Sequence, residues 1–88
     1  MFARKLRVDY VRDDAPPEPC PITWIDNFAI RNFTNSAVFD DTLPIADGRM
    51  EIGLLLPIDV LKQAMEEWFR KKGYLGEGDR LTIHEIAN

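Results

Sequence analysis

The 88-residue chain has little of what most recognised active sites are made from: one cysteine, one histidine, and five glycines. Each shortage excludes something. Cys20 alone cannot form an internal disulfide, and the start, MFARKLRV, lacks the long apolar stretch of a secretory signal. A reducing cytoplasm is therefore expected. With one His and one Cys, no zinc set of recognised spacing can be assembled, and any site needing two imidazoles is ruled out. A Cys20 and His84 nucleophile pair has no support from spacing. Cys20 lies between Pro19 and Pro21 with no CxxC pattern, helix start or adjacent base to activate it, so it reads as a small loop residue. The glycines 73, 76 and 78 follow a predicted helix instead of joining a strand to a helix start, which makes them cap and turn residues and not a phosphate cradle. No apolar run approaches the roughly 20 residues needed to span a bilayer. A soluble protein with no membrane association is expected.

Positive charge is also scarce, and it is unevenly placed. The formal net charge is −4 and the pI about 4.8. Residues 1–8 hold Arg4, Lys5 and Arg7 with no acid, whereas residues 9–47 hold eight carboxylates against Arg12 and Arg31. Such a balance gives no long-range attraction for a phosphate backbone, so direct nucleic-acid binding is disfavoured. The acidity of the middle segment has too few local cations to neutralise it. Since carboxylates are almost never buried unpaired, a negative surface patch is expected there.

What is present points to one small globular domain over residues 1–88. Hydrophobic residues make up 45% and charged residues 30%, enough for a core and too few residues for two. The strongest local pattern runs from Gly48 to Leu75. Met50, Ile52, Leu54 and Leu56 share one face at period two; then Ile58, Leu61, Met65, Trp68 and Phe69 form a stripe at helical spacing. A strand turning straight into a helix is predicted, the helix covering about 57–72. Pro57 suits its first position, Asp59 its first turn, and Gly73 a left-handed stop. Glu66 with Arg70 and Glu67 with Lys71 are favourable i, i+4 pairs.

Residues 3–11 alternate as a first strand, and residues 13–21, DDAPPEPCP, are a proline-rich connecting loop. The segment 22–33, ITWIDNFAIRNF, fits either a helix with Ile25, Phe28, Ala29 and Phe33 on one face or a hairpin turning at Asp26 and Asn27. The β-branched and aromatic content favours the hairpin. Val38, Phe39 and Thr42 to Ile45 suggest a further strand edged by Pro44, and Asp47-Gly48 returns the chain antiparallel into the strand from Arg49. Leu81 and Ile83 alternate with Thr82 and His84 in a last strand. The expected class is α+β: a small, mostly antiparallel sheet of about four to five strands with one amphipathic helix on one face.

Remaining motifs fail on their spacing. The Asp40, Asp41 and Asp47 cluster suggests calcium, but aligning Asp47 and Gly48 to the fifth and sixth positions of a calcium loop puts Leu43 where the first carboxylate must be and Ile45 where the third should be. Asn32, Phe33 and Thr34 form a sequon by chance. No carboxylate pair stands out for glycoside cleavage. No metal or cofactor is expected, and an enzyme is disfavoured, although a small enzyme without a recognisable motif is retained as an alternative. The favoured reading is a small acidic protein-binding module, an inhibitor or regulator that docks on a basic surface of another protein, one that itself can bind nucleic acid. Small inhibitors of nucleic-acid machinery, phage-encoded ones included, offer the analogy. Its candidate interface is Asp13, Asp14, Trp24, Asp26, Phe28, Asp40, Asp41 and Asp47, with the aromatics of 24–39 open to either a core or an interface role. A structural or accessory subunit of a larger assembly is the other alternative, and the sequence does not decide between monomer and homodimer.

Overall fold

The computed structural model describes residues 4–33, 43–52 and 57–86. Among them are five strands and two helices in the order β1 (Arg4–Val11), β2 (Glu18–Pro19), α1 (Ile22–Phe33), β3 (Leu43–Ala46), β4 (Arg49–Ile52), α2 (Ile58–Lys71) and β5 (Arg80–Glu85). The α+β class holds, with a curled antiparallel sheet. β1 is its centre. β5 runs along one side of it, from Leu6↔Glu85 to Val11↔Arg80. The other side is shared: β4 pairs with Arg4 to Arg7, and β2 with Asp9 and Tyr10. β3 lies outside β4, with a bulge between Pro44 and Ala46, as a proline-bearing edge strand allows.

The alternation read from the sequence sorts β1 into two faces. Leu6 and Val8 join Met50, Ile52, Leu81 and Ile83 on the inner face, beneath Ile25 and Phe28 of α1 and Leu61, Met65 and Phe69 of α2. All of these are buried. At about 1.5–3 kcal/mol for each large apolar side chain removed from water, this layer is the main source of stability. The outer face carries Lys5, Arg7, Asp9 and Val11 from β1, opposite Arg49 and Glu51 of β4 and Arg80, Thr82 and His84 of β5.

The second helix is where expectation and structure part. Residues 22–33 form α1, not a hairpin. Ile25 and Phe28, three apart, reach the core, so tertiary burial overrides the β-propensity of the segment. The helix has no acid in its first turn. Its start combines a local bond with a distant one: Pro21 O, just before the helix, accepts from the amides of Trp24 (3.0 Å) and Ile25 (3.3 Å), and Asp47 Oδ1 accepts from the Ile22 amide at 2.7 Å. Asp47 thus caps a helix that begins 25 residues before it.

α2 behaves as its sequence says, with one shift. Pro57 is the N-cap residue and not the first helical one, its carbonyl accepting from Val60 and Leu61. At the other end Gly73 takes φ 83°, its amide donating to Arg70 O (3.1 Å) while that of Tyr74 donates to Phe69 O (2.8 Å). This is a Schellman stop, and Tyr74 packs back on Phe69. Arg70 and Glu66 approach to 3.8 Å, whereas Glu67 is met by Gln63 rather than Lys71.

The Asp47-Gly48 turn does more than reverse the chain. Val8 donates to Gly48 O (2.8 Å), Gly48 to Cys20 O (2.6 Å), and Cys20 to Val8 O (2.9 Å), a closed ring of backbone bonds joining three segments. Gly48 sits there at φ 75°, where a Cβ would lie 2.9 Å from Pro19 Cβ. Glycine is required for both reasons.

Candidate protein interface

Two loops meet at the end of the sheet where β1 finishes. In the first, the Ala15 amide bonds to Arg12 O at 2.8 Å, and Asp13 takes φ 48°, a left-handed conformation that aspartate tolerates better than most residues. In the second, Gly76 donates to Asp79 Oδ2 at 2.7 Å. The loops touch: a Cβ on Gly78 would fall 2.7 Å from Asp13 Oδ1.

Arg12 ties them together. Its guanidinium reaches Asp79 Oδ2 (3.2 Å) and Tyr74 O (3.2 Å), and its carbon lies 5.2 Å from the centre of the Tyr10 ring. Asp79 is itself buried, and its carbonyl accepts from Arg70 at 2.7 Å. Glu66 Oε2 takes the Leu81 amide at 2.8 Å. Both guanidinium groups are therefore engaged by Asp79, although the two side chains stay partly open to water. Asp13, Asp14, Glu18 and Glu77 remain exposed around them, a local excess of negative charge.

An aromatic cluster stands beside the carboxylates. Trp24, half-buried, stacks on Tyr74 (ring centres 5.0 Å apart, 11° between planes) and leans on Tyr10 at 5.1 Å, with its inner side on Phe69. Asn27 Nδ2 donates to the Tyr74 hydroxyl at 2.8 Å. The Tyr10 hydroxyl donates to Glu18 Oε2 at 2.8 Å, and that bond, with some desolvation and the nearby negative charge, raises its pKa.

Of the residues picked from the sequence, Asp13, Asp14 and Trp24 are brought to this end. Asp26 is exposed on α1. Phe28 is a correction: at 1% exposure it belongs to the core, packed against Trp68 and Phe69, because its position three residues after Ile25 turns it inward once the segment is helical. Asp47 is exposed but already spent on the α1 amide. Asp40 and Asp41 lie outside the described residues, as does the predicted strand around Val38 and Phe39. Glu18, Glu77, Tyr10 and Tyr74 were not singled out; Glu18 was hidden among prolines, and Glu77 reaches the site only through the pairing of β5 with β1.

Cys20 and His84 are not brought together. Cys20 is fully buried among core side chains, its thiol pushed up to about 12 by burial and by the charges of Asp9 and Asp47, while His84 is exposed on the outer face of the sheet. No group of three potential metal ligands occurs among the described residues. No described helix is long and apolar enough to cross a membrane. Compared with known proteins, the chain matches no protein-family model, and no curated sequence or solved structure resembles it at a significant level.

Proposed function

We propose that the chain is a protein-binding module whose acidic loop end docks on a basic surface of a partner protein and thereby inhibits or regulates it, in a cytoplasmic setting. One observation carries the reading: Asp13, Asp14, Glu18 and Glu77 are exposed around the half-buried Trp24 cluster, while the neighbouring Arg12 and Arg70 are each already bonded to Asp79. Exposed carboxylates steer encounter with Lys and Arg clusters, and rigid aromatic rings beside them supply contact area at low entropic cost. A surface of this charge competes with phosphate for the same cations, which is how it would block a partner that binds nucleic acid.

The test is capture from the native cell by the parent chain and by an Asp13→Lys/Asp14→Lys variant. A single basic partner should be retained at low salt, released as salt rises, and lost by the variant. Equal capture by both proteins would sink the proposal.

A further inference from the structure

The outer face of the sheet has the opposite character from the loop end. Arg7 lies directly between Arg49 of β4 and His84 of β5, so three basic side chains form one row across three strands. Like charges directly opposite one another destabilise a sheet. A sheet face open to water needs charge, but mixed pairs such as Lys5↔Glu51 in the next row supply it without repulsion. Arg7 is partly relieved by Asp9 Oδ2 at 3.1 Å. Lys5, Arg49 and Arg80 are exposed and make no ion pair among the described residues.

The occupant of this face must be anionic, and the molecule presents one candidate itself. Among the described residues no aromatic side chain lies on the outer face, so they offer no platform on which unpaired bases could stack. The net charge of −4 also repels a phosphate backbone at long range. The loop end, by contrast, displays Asp13, Asp14, Glu18 and Glu77, carboxylates to match Lys5, Arg7 and Arg49. Lys5, Arg7 and Arg49 lie towards the start of β1, with Glu51 the exception among them, and the exposed carboxylates lie beyond its end, where Arg80 opposite Val11 is the exception.

We propose that the Arg49–Arg7–His84 face binds the acidic loop end of a second copy of the chain, giving weak head-to-tail association. The contact joins two different surfaces, so it leaves one of each free and can repeat. This rests on the acidic-end reading above, with the partner now specified as the chain's own basic face. It gives the module a self-limited form: a copy whose loop end is engaged by another is unavailable to a foreign partner.

Sedimentation velocity of the full chain tests it. The parent should show mass that rises with concentration at low salt and falls to monomer near 1 M salt, where the screening length is about 3 Å. Arg49→Glu, which kills the face, and Asp13→Lys/Asp14→Lys, which kills the end, should each be monomeric when alone. Mixed one to one, they should form a dimer and nothing larger, since one intact end meets one intact face. A parent that stays monomeric throughout, variants that associate like the parent, or a mixture that stays monomeric would each overturn the proposal. So would tight binding of a single-stranded oligonucleotide that Arg49→Glu abolishes and the end variant retains, which would assign the face to phosphate. Retained capture of a foreign basic partner by a strictly monomeric parent would remove self-association and leave the acidic-end function standing.

Discussion

The two helices cover the same sheet face and are made in different ways. Both open on the carbonyl of a preceding proline, but α2 adds its own instructions: an acid in its first turn, basic residues in its last, and a glycine that closes a Schellman motif. α1 carries almost none. Its first amide is bonded by Asp47 from the far end of a hairpin, its first turn has no acid, and it is fixed by Ile25 and Phe28 entering a core built by other segments. A helix can be specified by its own ends or by its surroundings, and this molecule uses both routes side by side.

Breaking the shared core should affect both helices most. Phe28→Ala in α1 and Phe69→Ala in α2 should each cost about 3–5 kcal/mol by denaturant unfolding. If the contrast is right, the Phe28 variant should lose α1 while retaining α2 signals in NMR spectra. Simultaneous loss of both helices at low denaturant would show that α2 has no independence.

Next in size is the effect of alkaline pH on the buried thiol beside α1. Cys20 is raised from its ordinary value of 9.0 to about 12, so the folded chain holds its proton more tightly than the unfolded one. Its contribution is fully present below about pH 9 and is lost as pH rises from there towards 12. Urea midpoints should therefore fall over that window by more in the parent than in Cys20→Ala. The thiol should also resist alkylation at pH 8 until the protein is unfolded. Rapid labelling of the native protein would contradict both statements.

The smallest changes compare the helix ends themselves. Asp47→Ala and Gly73→Ala should each cost about 1 kcal/mol, the first by removing a cap and the second by forcing a Cβ into a left-handed site. Their chemical-shift changes should separate, the former centred on Ile22 to Ile25 and the latter on Phe69 to Leu75. Overlapping footprints would mean that the helices are not specified separately.

This difference also explains what could be read from the sequence. The signals of α2 are local, so its limits were legible to within a residue, as were the Asp47-Gly48 hairpin and the alternation of β1. The segment 22–33 was ambiguous because its apolar residues fit two periods and the deciding hydrogen bond comes from Asp47. The loop end was half legible. Asp13 and Asp14 announce themselves by their charge, but Glu77 joins them through the pairing of β5 with β1, which also brings Asp79 to Arg12, 67 positions away in the chain.

The backbone ring of Val8, Cys20 and Gly48 has a consequence in time. Its three bonds cannot close until β1, the proline loop and the hairpin have all met, and the Asp47 cap cannot form before that turn exists. Helix α2 can nucleate early on its own sequence, whereas α1 must wait for long-range closure. In stopped-flow experiments Asp47→Ala should therefore speed unfolding and leave the refolding rate nearly unchanged. On this account α1 is a late product of assembly, and while it is unformed the Trp24 face that we assign to partner binding does not yet exist.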